Sequence, residues 1–146
     1  MASLDGTGPG RRLTPAQLDT FFTRYGWDYE HPPETEGVWQ TGFSEERAAF
    51  DIFVQLTEEW VIFMIYPFTL RPEGAARARV AERLATLNYE LTMVKAGIDD
   101  EGDTFLGVEL STEDFTFSHF RHALDELTEA AVTHHMDVEL LATGGG

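Results

Sequence analysis

The sequence predicts an α+β domain whose helices and strands follow one another in the order α-β-β-β-α-β-β-α. Three segments carry apolar residues at helical spacing, and two pairs of strand-like segments are separated by short turns. The length of 146 residues suits one domain with a core that needs no disulfide, and the chain has no cysteine. We place this domain at residues 13–142, with flexible tails at residues 1–12 and 143–146.

The first helix is indicated by the segment LTPAQL at residues 13–18. Thr14 suits the N-cap, Pro15 suits the first helical position, and Gln17 completes a capping box with Thr14. Gly26 follows the last apolar residue of the helical pattern and predicts the end of the helix.

The next segments predict strands. Residues 27–30 fit a short strand and residues 38–43 fit a longer one, while residues 48–56 and 59–67 predict a hairpin that turns at residues 57–58. The predicted register pairs apolar residues on one face, which we assign to the core: Val54 with Val61, Ile52 with Phe63, and Phe50 with Ile65.

The opposite face of this hairpin is more apolar than a surface meant only for water. It carries Phe53, Trp60, Ile62 and Met64 among polar neighbours. Apolar surface of this kind often marks an interaction site.

Two further helices are predicted by apolar residues at helical spacing. The second helix covers residues 72–93, which are rich in alanine, arginine, leucine and glutamate. The third begins after a cap at Thr116, with Phe115 and Phe120 at the staple positions, and runs to about residue 141.

The acidic segment IDDEGD, at residues 98–103, is predicted to be a turn and not a calcium loop. An EF-hand loop counted from Asp99 requires glycine sixth and glutamate twelfth, but here glycine is fourth and Leu110 is twelfth. A three-residue hairpin loop with Gly102 in the left-handed position fits the segment. Its charges are expected at an exposed loop tip.

This loop predicts a second hairpin, between residues 94–98 and 104–110, whose apolar residues meet one another. On the other face Gly97 then lies opposite Phe105 and Lys95 lies opposite Gly107, so the two glycines predict either a shallow hollow beside an aromatic ring or a local bulge.

The charge of the chain limits its partners. Ten basic and 26 acidic residues give a net charge of -16, which repels phosphate backbones and favours a basic protein partner, such as a nucleic-acid-binding protein. The longest apolar run, WVIFMIY, is far shorter than the ~20 residues of a membrane span, and no signal peptide is recognisable. We therefore expect a cytoplasmic protein that binds neither membranes nor nucleic acid directly.

Candidate chemical sites are weak. His119, His122 and Glu126 lie one turn apart on the third helix and could hold zinc, but a solvated helix face explains them better. No serine lies in a nucleophile elbow, and no glycine-rich phosphate loop follows a strand. We assign no catalytic residue, metal ligand or cofactor.

Residues 84–131 resemble the YbjN-like family of bacterial proteins. The resemblance is carried by LNYEL at the end of a helix, DDEGD in the hairpin and VEL at the end of the next strand. Members of this family are described as sensory transduction regulators, and they share a fold with class I type III secretion chaperones.

The resemblance implies an antiparallel sheet of about five strands flanked by three helices, and a protein-binding module without catalytic activity. Secretion chaperones of this fold commonly form homodimers in which the middle helix is prominent. In this chain, Ala78, Ala81 and Ala85 of the second helix would allow another helix to approach closely.

We therefore expect a non-enzymatic, chaperone-like adaptor that works as a homodimer. Its partner would bind the mixed sheet face at Phe53, Trp60, Ile62, Met64 and Phe105. Two other classes stay open: a small-ligand or metal-responsive regulator, and an enzyme that uses two carboxylates in a cleft.

Overall fold

The computed structural model describes residues 10–144 and contains three helices and one five-stranded sheet. The elements follow the predicted order: α1 (Pro15–Tyr25), β1 (Val38–Glu45), β2 (Ala48–Leu56), β3 (Trp60–Ile65), α2 (Ala75–Glu90), β4 (Lys95–Ile98), β5 (Thr104–Ser111) and α3 (Phe117–Ala142). Residues 1–9 and 145–146 of the predicted tails lie outside the described residues. None of the helices within residues 10–144 has the length and apolar character of a membrane span.

The sheet has the strand order β1-β2-β3-β5-β4, and all neighbouring strands are antiparallel. The buried residues of the three helices form one cluster with the apolar residues of one sheet face. The helices therefore lie on the same side of the sheet. The largest buried side chains in this core include Trp39, Phe22, Phe63, Phe68 and Phe120.

Helix α1 begins and ends as its sequence predicts. The Gln17 N–H donates to Thr14 Oγ1 at 3.2 Å, and the Thr14 N–H donates to Gln17 Oε1 at 2.9 Å, which confirms the capping box. Gly26 ends the helix with φ = 93°, a left-handed conformation that glycine adopts readily.

The predicted register between β2 and β3 is wrong by two residues. Val54 lies opposite Phe63 and not Val61, and Ile52 lies opposite Ile65. Because side chains alternate along a strand with a period of two, a shift by two residues keeps every side chain on its predicted face.

Local hydrogen bonds at the turn explain the observed register. The Thr57 N–H donates to the Trp60 carbonyl at 2.8 Å, and the Trp60 N–H donates to Thr57 Oγ1 at 2.9 Å, so the turn residues are Glu58 and Glu59. The Thr112 hydroxyl donates to the Glu58 carbonyl at 2.7 Å and secures the turn against the end of β5.

The hairpin of β4 and β5 has the predicted register and loop. Gly97 lies opposite Phe105, and Gly102 has φ = 97°, as the three-residue loop requires. The expectation that all its charges lie at an exposed tip is wrong, because Asp99 and Asp103 are only partly exposed and both bond to other side chains. Asp100 and Glu101 are the exposed acids.

Two other elements differ from the sequence prediction. Helix α2 covers Ala75–Glu90 and not residues 72–93; it begins after Gly74, which has φ = 59°. The short strand predicted at residues 27–30 is a single bridge between Glu30 and Gln40. Helix α3 starts after Thr116 as predicted, with His119 as the capping-box partner.

Candidate protein-binding surface

The sheet face opposite the helices, here called the reverse face, has an apolar centre and a polar border. Because the strands pair in register, one row across the sheet consists of Gln40, Phe53, Met64, Gly107 and Lys95. The next row consists of Val38, Gln55, Ile62 and Glu109. Phe53, Ile62, Met64 and Phe105 do not belong to the core cluster, and each is partly exposed.

The structure brings most of the five predicted partner-binding residues together. Phe53 and Met64 are directly opposite each other, and Ile62 lies in the adjacent row. Trp60 is on the same face and 50% exposed, but it is four residues from Met64 along β3, which is about 13 Å. It therefore forms the outer end of the surface.

The hollow predicted above the strand glycines is filled. A Cβ atom added at Gly97 would lie 2.9 Å from Phe105 Cζ, so the Phe105 ring covers this glycine. At Gly107, the added atom would lie 3.5 Å from Met64 Cγ and 4.0 Å from Lys95 Cε. The absence of a side chain at Gly97 thus makes room for the Phe105 ring, and its absence at Gly107 makes room for the side chains of Met64 and Lys95.

The open hollow of the reverse face lies beside this ring. Its volume is about 480 Å³, and it is lined by Phe53, Met64, Tyr66, Asp99 and Phe105. Our sequence analysis did not assign Tyr66 and Asp99 to the site. The alternation of side chains along a strand could have identified both: Tyr66 follows Ile62 and Met64 at a spacing of two residues, and Asp99 follows Lys95 and Gly97 in the same way.

Hydrogen bonds fix the polar end of the hollow. The Tyr66 hydroxyl shares its one proton between Asp99 Oδ2, at 2.6 Å, and the more distant Asp103 Oδ2, at 3.1 Å. The first of these bonds is the main reason why the pKa of Asp99 lies below its ordinary value. The same bond raises the pKa of the Tyr66 hydroxyl. At neutral pH the tyrosine is a neutral donor and Asp99 is a carboxylate.

Asp103 has a different environment from Asp99. Arg71 donates to both of its oxygens, from Nε and Nη2, each at 3.1 Å, and this contact raises the pKa of Arg71. The charge of Asp103 is therefore met by a bidentate guanidinium.

The predicted dimerisation residues lie on the outer face of α2. Ala78, Ala81 and Ala85 are exposed, while Val80 and Leu84 face the core. Tyr89 lies one helical turn after Ala85 on the same outer face and is 91% exposed. Sequence reasoning missed Tyr89, although its spacing of four residues from Ala85 places it on the same face.

His119 contributes to the N-terminal cap of α3. His119 Nδ1 accepts a hydrogen bond from the Thr116 N–H at 3.0 Å and completes the capping box. Across residues 10–144, no group of three or more histidine or acidic side chains is arranged to hold a metal ion.

Comparison with solved structures defines the class of fold. The chain is similar to YbjN from E. coli (TM-score 0.62, 16% identity, 85% of this chain and 93% of that chain covered). It is similar to a chain of the heterodimeric ExoU–SpcU complex of the Pseudomonas aeruginosa type III secretion system (TM-score 0.57, 19% identity, 86% of this chain and 97% of that chain covered). It is also similar to a chain of the complex between the Yersinia pestis type III secretion chaperone SycH and a stable fragment of YscM2 (TM-score 0.51, 15% identity, 81% of this chain and 96% of that chain covered). The fold is that of the type III secretion chaperones.

Residues 14–139 match the model of the YbjN family, described as "Putative bacterial sensory transduction regulator", and the chain belongs to this family. No curated protein matched the sequence.

Proposed function

We propose that this protein is a non-enzymatic, chaperone-like adaptor that binds a segment of another protein on its reverse face. The observation that carries this proposal is the apolar hollow on a sheet face that lies opposite all three helices. Apolar side chains gathered in one concave surface gain free energy when a partner removes them from water. Similar folds occur in complexes of chaperones with partner proteins, which adds support.

We propose a partner with a basic surface. The net charge of -16 favours such a partner over an acidic one. The reverse face itself carries Asp51, Asp99 and Glu109, and its Lys95 already pairs with Glu109 at 3.0 Å. A basic nucleic-acid-binding protein would meet this description.

The proposal includes a homodimer formed through α2. The small exposed side chains of Ala78, Ala81 and Ala85 permit close approach of a second helix, and Tyr89 offers a large apolar surface at the end of the row. Ala81→Glu should dissociate the dimer in sedimentation velocity experiments, whereas Thr133→Glu on α3 should not. A monomeric wild-type protein would contradict this part of the proposal.

The binding site is tested with two substitutions and one matched control. Trp60→Ser and Met64→Gln remove apolar surface from the reverse face, while Met136→Gln removes a 45% exposed methionine from α3. A partner is first captured with the wild-type protein and purified, and its affinity is then measured by calorimetry.

We expect each reverse-face variant to weaken binding by about 2 kcal/mol, or about 30-fold in Kd, as for an anchor residue in a protein interface. Met136→Gln should leave Kd unchanged. Equal affinity of all three variants and the wild type would contradict a binding role for this face.

A further inference from the structure

The hollow on the reverse face has apolar sides and a charged end. Phe53, Met64 and Phe105 line its sides, and Asp99 lies at one end beside the Tyr66 ring. A side chain that fills the hollow therefore contacts two phenyl rings and a thioether along its length and a carboxylate at its tip.

Asp99 has acceptor capacity that the protein itself does not use. Its Oδ1 accepts the N–H groups of Glu101 and Asp103, both at 2.9 Å, and its Oδ2 accepts the Tyr66 hydroxyl. A carboxylate offers about four acceptor sites, so one site on Oδ2 stays open. In residues 10–144 no cationic side chain forms an ion pair with Asp99, in contrast to the bidentate pair of Asp103 with Arg71.

This arrangement discriminates among the side chains of a partner. A leucine or phenylalanine would cover the apolar walls but would also remove water from an unpaired carboxylate, which is unfavourable. An acidic side chain would be repelled. A cation on a methylene stem satisfies both the walls and the carboxylate. A guanidinium is more weakly hydrated than the ammonium of lysine, so it loses less hydration when it enters the hollow.

Two arginines lie near the loop that carries Asp99, but neither forms an ion pair with it: Arg71 is paired with Asp103 at 3.1 Å, and Arg77 lies beside Gly102. Asp51 is exposed, lies on the same face two residues from Phe53, and adds a second negative charge near the hollow. Lys95 lies beyond Gly107 in the Met64 row, and its charge is met by Glu109 at 3.0 Å.

We infer that the hollow binds an arginine side chain of the partner protein, with its stem against Phe53, Met64 and Phe105 and its guanidinium at Asp99. The inference rests on the proposed function and adds to it the residue type that the reverse face selects. An adaptor of this kind recognises a segment that carries an accessible arginine.

The test uses small probes on the intact protein. N-acetyl-arginine methylamide, its lysine analogue and its norleucine analogue are titrated into ¹⁵N-labelled protein, and amide shifts are followed by NMR. The variants are Asp99→Asn and the control Asp100→Asn, which removes the same charge from an exposed neighbour that does not line the hollow. Asparagine at residue 99 keeps an acceptor for the two backbone N–H groups, and thermal unfolding of each variant checks that the fold is retained.

We expect the arginine probe to shift the amides of Gly97, Asp99 and Phe105 and to bind more tightly than both the lysine probe and the norleucine probe. Asp99→Asn should weaken its binding about fivefold, whereas Asp100→Asn should have little effect. The difference between these variants should persist when salt is raised from about 0.01 M to about 1 M, because salt screens distant charges more than direct contacts.

Three results would overturn the inference: binding of the lysine or the norleucine probe as tight as that of the arginine probe, equal effects of Asp99→Asn and Asp100→Asn, or probe-induced shifts elsewhere than in the hollow. If partner binding is still lost in Trp60→Ser and Met64→Gln, the proposed function stands and only the arginine preference is wrong. If those variants bind the partner normally, the proposed function fails whatever the probes show.

Discussion

Asn88 in the LNYEL motif closes an edge of the sheet, and its removal should destabilise the protein measurably. The Asn88 Oδ1 accepts the Ala96 N–H at 2.8 Å, and its Nδ2 donates to the Ala96 carbonyl at 2.9 Å. The side-chain amide thus pairs with edge strand β4 as a neighbouring strand would. Ala96 is only 8% exposed, so water replaces these bonds poorly.

The magnitude of the Asn88→Ala effect follows from these contacts. The two hydrogen bonds between Asn88 and Ala96 contribute about 2 kcal/mol together. In the variant, the buried N–H and C=O groups of Ala96 cannot fully replace them with hydrogen bonds to water. Alanine is the better helix former and offsets about 0.6 kcal/mol. We therefore expect the free energy of unfolding to fall by about 1.5 kcal/mol.

Urea unfolding measures this change, and hydrogen exchange at the Ala96 amide shows whether the edge has opened. The matched control is Thr86→Ala on the same helix. The exposed Thr86 hydroxyl donates only to the Glu82 carbonyl, within the helix. The control should be neutral or slightly stabilising. Asn88→Ala with the stability of the control and with unchanged exchange at Ala96 would refute the role of Asn88 at the edge.

Two further predictions concern the sheet and the hollow. Gly42→Ala should lower the free energy of unfolding by about 1–3 kcal/mol in urea titrations, because its Cβ would lie 2.6 Å from the backbone oxygen of Phe50; an unchanged midpoint would be inconsistent with this packing. Tyr66→Phe should raise the pKa of Asp99 towards the ordinary aspartate value, which a carboxyl NMR titration detects. Since the folded-state pKa of Asp99 is lowered, the contribution of Asp99 to stability is present above its ordinary pKa of 3.8 and is lost as pH falls through the folded-state pKa. Tyr66→Phe should move this loss of stability to higher pH. An Asp99 pKa that is the same in the variant and the wild type would contradict the prediction.

Elements with local signals could be predicted from the sequence. The capping box of Thr14 and Gln17 and the left-handed Gly102 each depend on residues within a few positions of one another, and both are confirmed. The parity of strand residues is also local, so the reverse face was identified correctly despite the wrong β2–β3 register.

Features that the pattern of apolar residues leaves undecided could not be predicted. Val61 and Phe63 are both apolar, so pairing Val54 with either satisfies the pattern, and only the contacts of the turn with Trp60 and Thr112 decide the register. Parity likewise shows which face Phe105 occupies but not that its ring covers Gly97.

The claim that a partner protein binds the reverse face is tested most directly by methyl NMR with ¹³C-labelled methionine. Met64 lies in the hollow on the reverse face, and Met136 is exposed on α3 on the helical side of the molecule. On addition of a purified partner, the account predicts that the Met64 methyl signal shifts or broadens while the Met136 signal stays in place. A shift of Met136 with an unchanged Met64 signal would contradict the account.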